Sequence, residues 1–191
     1  MSAMFATTAV APASVSAEPT RKQIVQWCNQ NSGSCGFVPD GAPTTLTGEK
    51  KQLTGRTFNC TSEVSTKTLT DSATDGTTDN VGGEVTTGAS FEVFSATFKL
   101  SYSKTWQKTR TVTISRQINL KPGEVGWFDR GPALQKITGK FVYQQAKPID
   151  GAHFWFAENV TITGPNPEGG DGDIVEQSRP MTSAEKQNNC K

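Results

Sequence analysis

Histidine is almost absent from this sequence, and the motifs that enzymes build around reactive groups are missing. His153 is the only histidine among 191 residues, and a lone histidine at the start of an aromatic stretch is typical of a structural or surface position. No serine lies in a Gly-x-Ser-x-Gly turn, and no glycine loop has phosphate-binding spacing. Residues 171–173 (DGD) lack the glutamate that a calcium loop requires, and the cysteines fit no zinc pattern. The sequence therefore predicts a non-enzymatic protein without cofactor or metal.

Concentrated positive charge is also missing, and so is any long apolar run. The 19 basic residues are balanced by 18 acidic ones, so we expect no nucleic-acid partner. No stretch reaches the ~18 to 20 apolar residues of a membrane helix. Residues 1–17 are apolar and end in Val15-Ser16-Ala17, a form that signal peptidase cleaves, although no basic residue precedes them. We interpret them as a signal peptide remnant, with a disordered tail as the alternative, and residues 18–191 as a single secreted β-rich domain.

Four cysteines in an exported chain predict disulfide bonds. Four cysteines allow three pairings. A bond between Cys28 and Cys35 closes a small loop and leaves Cys60 to join Cys190, which would tie the C-terminal tail to an early strand. By the chain-entropy account, so long a loop contributes roughly 4 to 5 kcal/mol. The spacing alone does not exclude the other two pairings.

Polar and apolar side chains alternate over residues 94–120, where no Gly, Pro or Asp interrupts the chain. This alternation predicts one continuous β-strand with one packed face and one hydroxyl-rich face. A hairpin near residues 104–108 is the alternative, but a two-residue turn would switch the parity, and the parity does not switch. A strand of that length would reach about 90 Å, so it would form a rod or bend sharply at its basic middle. The predicted fold is all-β, mainly antiparallel and elongated, with long twisted strands over about 56–143.

The flanking segments complete this prediction. Residues 20–23 (TRKQ) and 182–185 (TSAE) have the form of capping boxes and predict short helices near the two termini. Strands are predicted at about 56–70, 134–143 and 153–162, the last burying Phe154, Phe156, Val160 and Ile162. Residues 71–88 predict a solvated loop or a weak hairpin between two long strands, because turn formers replace large apolar residues there.

A candidate binding face follows from the basic and aromatic residues at the middle of the long alternating segment. Trp106 lies among cations and Trp127 follows a turn, so either could offer an aromatic platform for a sugar or a membrane interface, or could pack in the core. The candidate face comprises Ser101, Ser103, Lys104, Thr105, Trp106, Lys108, Arg110 and Trp127.

The order of these features resembles that of the aerolysin-like β-pore-forming proteins, specifically the epsilon-toxin and mosquitocidal-toxin branch. Long Ser/Thr strands, a Gly/Thr-rich connection, a Pro-Gly turn and a return strand carry the likeness over roughly residues 57–143. Residues 24–28 (IVQWC), 123–127 (GEVGW) and 179–182 (RPMT) are also similar to segments of small secreted proteins of filamentous actinobacteria. The resemblance implies a secreted, extracellular, non-enzymatic bacterial protein.

Three functions follow as expectations. The first is a toxin-like protein of the aerolysin type that binds a membrane, a cell-surface receptor or a partner and oligomerises. As a membrane-spanning hairpin, residues 71–88 offer only three apolar side chains and four acidic ones, which favours surface binding over a pore. The second is an adaptor subunit of a secreted multi-protein antibacterial particle of the umbrella-toxin type, which would bind partner proteins by strand addition. A carbohydrate-binding or inhibitor module is a third.

Overall fold

The computed structural model describes residues 18–30, 33–149 and 151–191, so the expected signal segment 1–17 lies outside it. The fold is mainly antiparallel β, as predicted, with about 50% strand and 18% helix. The elements in chain order are α1 (Arg21–Asn29), β1 (Ser34–Pro39), β2 (Thr44–Thr47), β3 (Lys51–Gln52), β4 (Thr57–Phe58), β5 (Ser65–Gly76), β6 (Thr78–Asp79), α2 (Gly88–Tyr102), β7 (Thr109–Leu120), β8 (Glu124–Gly131), β9 (Ala133–Ile149), β10 (Ala152–Pro165), β11 (Asp173–Pro180) and α3 (Ser183–Asn189).

The two terminal helices begin at the capping boxes that the sequence predicts. Thr20 accepts a hydrogen bond from the backbone of Gln23, whose side chain reaches back to the Thr20 backbone. Thr182 and Glu185 repeat the arrangement at the start of α3. Each box satisfies donors that the first turn of a helix leaves without partners.

The largest sheet runs in the order β1-β9-β10-β6, and β2 also pairs with β9. Helices α1 and α2 pack against one face of this sheet. The main hydrophobic core lies between the helices and the sheet. It includes Ile24, Val25, Phe37, Phe94, Phe98, Trp106, Ile137, Phe141, Tyr143, Val160 and Ile162. Alternate residues of β9 enter this core, which is the expected consequence of the two-residue period of a strand.

Two smaller sheets complete the fold. One runs in the order β11-β8-β3 with β4 also on β8, and the other is the two-stranded pair β5–β7. A second core cluster of Ile118, Leu120 and Phe128 joins them, with Leu69 and Ile174 packed against it.

Strand β10 contains a bulge that changes which side chains are buried. Its pairing with β9 shifts between Ala157 and Val160, and Asn159 has a left-handed backbone with φ of 54°. An inserted residue moves every following side chain to the other face. Val160 is therefore buried as predicted, but Phe154 and Phe156 are 49% and 48% exposed, so the prediction that they are core residues is wrong.

The predicted continuous strand over residues 94–120 is also wrong. Residues 88–102 form α2, and the strand begins only at Thr109. Phe94, Phe98 and Tyr102 satisfy a two-residue period. Together with Phe91 they are also spaced three and four residues apart, so they form one stripe of a helix. The alternation holds in β7, where Val112, Ile114, Ile118 and Leu120 are buried.

The four cysteines form two disulfides, with the pairing in which Cys28 and Cys35 close the small loop. Cys28 bonds Cys35, and Cys60 bonds Cys190, which is 130 positions later in the sequence. The first joins α1 to β1, and the second joins the end of α3 to the chain after β4.

Candidate functional site

Strands β5 and β7 form a ribbon with two chemically different faces. The two strands pair antiparallel without a bulge, from Ser65 opposite Leu120 to Gly76 opposite Thr109. The residue numbers of each pair therefore add up to 185. One face is a ladder of cross-strand hydroxyl contacts, with Thr70–Ser115, Ser72–Thr113 and Thr74–Thr111 oxygens each 2.8 Å apart. The other face carries Ile114 and Ile118, which are buried. The ribbon therefore has one wet, uncharged face and one packed face.

The end of this ribbon is fixed to the second sheet by a buried ion pair. The guanidinium of Arg130 donates two hydrogen bonds to the carboxylate of Asp75, at 2.8 and 2.6 Å. The two side chains are only 4% and 10% exposed, and Arg130 also donates to the Asp171 carbonyl at 2.7 Å. Removing either partner would leave a buried charge without compensation, so this contact fixes where the ribbon stops.

The segment that joins the two strands is an insert of residues 77–108, which includes β6 and α2. The sequence prediction placed a loop or hairpin at 71–88, but residues 71–76 belong to β5. The ribbon register continues one step into the insert, since the Thr77 amide donates to the Lys108 carbonyl at 2.8 Å. The chain then leaves the ribbon and folds onto the main core.

Two polar side chains hold the first half of the insert. The Asn29 amide group donates to the Glu84 carbonyl and accepts from the Ser90 amide, both at 2.9 Å. The Asp79 carboxylate accepts from the backbone amides of Val81, Gly83 and Val85 at 2.8 to 3.2 Å. These contacts position the start of α2 over α1.

Helix α2 is capped weakly. Thr87 at its N-cap makes no side-chain capping bond, and its first turn has no acidic residue. Eight of its fifteen residues are Phe, Ser, Thr or Val, which are modest helix formers. Leu100 near its C-terminus is 86% exposed. Packing of Phe94 and Phe98, not intrinsic propensity, therefore stabilises this helix.

The predicted candidate face is not a single surface. Trp106 is 3% exposed in the core, and its indole N–H donates to the Thr77 hydroxyl at 3.0 Å. Lys104 pairs with Glu168, and the ammonium of Lys108 lies 5.3 Å from the Phe91 ring centroid. Four more residues of the predicted face lie close to Trp106 in sequence. Ser101 and Ser103 lie at the end of α2, Thr105 follows it, and Arg110 donates to the Asn166 and Gly170 carbonyls.

Trp127 lies apart from them, on β8. The guanidinium carbons of Arg56 and Arg179 lie 5.0 and 5.9 Å from its ring centroid. Glu185 accepts two hydrogen bonds from Arg179, both at 2.7 Å. These bonds, followed by one from the Thr182 backbone, lower the pKa of Glu185 to about 2. This cluster fastens α3 to β8.

The described residues contain no group of three or more His, Cys, Asp or Glu side chains that could hold a metal ion. Within the same part of the chain, no helix has the length and apolar character to cross a membrane. His153 contacts the Gln145 carbonyl at 3.3 Å.

Comparison with known proteins finds structural likeness without sequence likeness. No protein family and no characterised protein matches the sequence. The parasporin-2 toxin of Bacillus thuringiensis, which recognises cancer cells, is similar with a TM-score of 0.32 and 17% identity over 78% of this chain and 74% of its own. A non-toxic crystal protein from Bacillus thuringiensis is similar with a TM-score of 0.26 and 9% identity over 87% and 99%.

Proposed function

We propose that this protein is a secreted, toxin-like pore former that binds a surface, oligomerises, and inserts residues 77–108 into a membrane as a hairpin. One observation carries the proposal. When the pairing of the β5–β7 ribbon is continued through the insert at the same register, Phe91 comes opposite Phe94, with Glu92 and Val93 at the tip. Between residues 81 and 104 the insert then separates into an apolar face, on which only Lys104 is charged, and a polar face.

The apolar face of this hairpin fits a bilayer. A transmembrane strand needs ~9 to 11 residues with apolar side chains on the lipid side. Residues 81–91 and 94–104 provide two strands of eleven residues, and only Lys104, at one end, is charged on the lipid side. The rest of that side comprises Val81, Gly83, Val85, Thr87, Ala89, Phe91, Phe94, Ala96, Phe98, Leu100 and Tyr102.

The polar face of the hairpin continues the hydroxyl ladder of the ribbon. In the continued register, the ladder residues of β5 and β7 are followed by Thr, Ser, Asn, Gln and Gly, and up to the Glu92–Val93 tip only Glu84 and Lys99 are charged. A face of this composition is suited to a water-filled passage, because hydroxyl groups hydrate well and repel neither sign of ion. The same face in several copies would line the pore.

The energetic requirement of insertion can be met by the bilayer. Phe94, Phe98 and Trp106 are buried in the core of the soluble form. Exposing three such side chains to water would cost roughly 6 to 9 kcal/mol. In the hairpin, Phe94 and Phe98 face lipid, and Trp106 lies at the interface, where aromatic residues are enriched. The side chains therefore exchange one apolar environment for another.

Leu100 provides a sharp test, because it is exposed in the soluble form and central on the lipid side of the hairpin. We expect Leu100→Lys to leave folding unchanged, since a cation near the C-terminus of α2 is favourable. Near the bilayer midplane it should cost about 2 to 4 kcal/mol in each copy. Dye release from liposomes should therefore fall at least tenfold.

Ser101→Lys is the matched control, because it adds the same charge one residue later, on the polar face. Its dye release should stay close to that of the parent protein. Equal loss in both variants would contradict the hairpin register. An absence of leakage from the parent protein across neutral and anionic liposomes, with no detergent-resistant oligomer, would overturn the pore proposal itself.

An adaptor role is the second candidate function, and the ribbon supports it. Strands β5 and β7 pair with each other over twelve residues, and no other strand of the described chain pairs with either. Their outer edges could accept a partner strand. Affinity purification from culture supernatant should then recover secreted partners in stoichiometric amounts, whereas elution as a lone monomer would count against this role.

A further inference from the structure

The face of the largest sheet that lies opposite α1 and α2 exposes an unusual concentration of apolar side chains. Val38 on β1 and Phe154 and Phe156 on β10 are 46%, 49% and 48% exposed. They are three of the five large hydrophobic residues that are most exposed in the described chain. We name this the outer face.

Strand register shows which residues share the outer face. Val38 pairs with Lys140, Phe156 with Val142, and Phe154 with Gln144. Residues that pair directly across neighbouring strands point to the same side of a sheet. On β1, β9 and β10 the set on this side includes Ser34, Gly36, Val38, Lys136, Thr138, Lys140, Val142, Gln144, Phe154, Phe156 and, beyond the bulge, Thr161 and Thr163.

The outer face carries only positive charge. Lys136 and Lys140 belong to it, and no member of the set is acidic. The ammonium of Lys140 lies 5.6 Å from the centroid of the Phe156 ring. Among the described residues, acidic side chains lie at its margins: Asp40 follows β1, Glu158 lies at the bulge, and Glu18 lines a cavity beside Phe154 and Phe156. A partner with negative charge is therefore complementary to it.

We propose that the outer face binds the surface of a bilayer that contains anionic phospholipid. Exposed aromatic rings partition into the region between headgroups and acyl chains, and neighbouring lysines attract acidic headgroups. Val38, the two lysines and the two rings are spread over the adjacent strands β1, β9 and β10, which matches an extended apolar and anionic surface. This role concerns attachment, and it stands whether or not residues 77–108 enter the membrane.

Co-sedimentation with vesicles tests the proposal. The full chain should bind vesicles of phosphatidylcholine with 30% phosphatidylglycerol more tightly than phosphatidylcholine alone, and binding should weaken as salt rises. Each lysine near an anionic surface is worth about fivefold in affinity, so Lys136→Gln with Lys140→Gln should lower it by about 25-fold. Phe154→Ser with Phe156→Ser should lower it by at least tenfold.

Val64→Ser is the matched control, because Val64 is 64% exposed elsewhere on the molecule, and its binding should be unchanged. The melting temperature verifies that each variant folds. If the phenylalanine double variant does not fold, the lysine double variant alone tests the proposal. Measurement in the Leu100→Lys background separates attachment from insertion, since binding should persist there while dye release falls at least tenfold. Equal binding to neutral and anionic vesicles, or unchanged binding by the lysine variants, would overturn the proposal.

Discussion

A disulfide between α1 and the start of α2 should hold the insert in its soluble position. An ideal Cβ at Gly88 lies 3.7 Å from the Cβ of Asn29, close to the separation of about 3.8 Å in natural disulfides. Asn29→Cys with Gly88→Cys should therefore cross-link on oxidation. In the proposed hairpin, residue 88 lies twelve residues beyond Gly76, or about 40 Å from the end of the ribbon. A chain that is tied to α1 cannot reach that position.

The effect of this lock on stability should be small. Closing a loop of about 60 residues contributes roughly 4 kcal/mol. Against this, a cysteine at the positive φ of Gly88 costs about 1 to 2 kcal/mol, and the two hydrogen bonds of Asn29 are worth about 1 kcal/mol each. The net change is within about 1 kcal/mol. Lost activity would therefore reflect the cross-link and not unfolding.

Dye release from liposomes is the assay, with the new bond confirmed by peptide mapping because Cys28 is adjacent to position 29. The oxidised double variant should be inactive, and mild reduction should restore leakage while the parent protein under the same reductant stays active. A variant with serine at both positions, which cannot cross-link, is the matched control. Full leakage by a quantitatively cross-linked protein would refute the release of the insert.

Three further predictions follow. Glu84→Gln should shift the pore towards anions and Lys99→Gln towards cations, each by several-fold in permeability ratio, because these are the only charges on the polar face between the ribbon and the Glu92–Val93 tip. Unchanged reversal potentials in planar bilayers would contradict this. The pKa of Glu185 is lowered from its ordinary value of 4.5 to about 2, so its carboxylate stabilises the fold above pH 4.5, and this stabilisation is lost as the pH falls towards about 2. Glu185→Gln should therefore reduce the dependence of the melting temperature on pH over that range. Replacing Cys60 and Cys190 by serine should lower the free energy of unfolding by roughly 5 kcal/mol in denaturant titration, and a loss below 1 kcal/mol would show that the long loop is constrained by other contacts.

Features set by local chemistry were predictable from the sequence. The two capping boxes depend on residues three apart, and both open helices where predicted. The alternation of polar and apolar side chains also predicts the buried face of β7, where Val112, Ile114, Ile118 and Leu120 are buried. In each case the controlling contacts lie within a few residues, or within one strand, so no knowledge of the distant chain is needed.

Residues 94–102 could not be assigned this way, because their side chains satisfy two periods at once. Phe94 and Phe98 share one face of a strand and one stripe of a helix. The core that α1, β1 and β9 build selects the helix, and these elements are distant in sequence. A signal for the helix was present in Phe91, which extends the three-and-four spacing but precedes the strand alternation.

The bulge in β10 was missed for a different reason. A count of alternate residues assumes that no residue is inserted, and Asn159 breaks that assumption. Asparagine tolerates the left-handed region better than most residues, so its position between Phe156 and Val160 was a usable signal. Without the bulge, the alternation places Phe154 and Phe156 in the core, so the sequence does not predict that they are exposed on the outer face.

The exposure of Leu100 has a consequence for how this sequence can change over evolutionary time. A surface helix alone imposes no selection for leucine there, so neutral drift should replace it with lysine, glutamate or glutamine. The inserted hairpin, which needs an apolar side chain at the same position, would prevent that drift. Related chains, when aligned, should then keep position 100 apolar while exposed positions on the neighbouring turns vary freely.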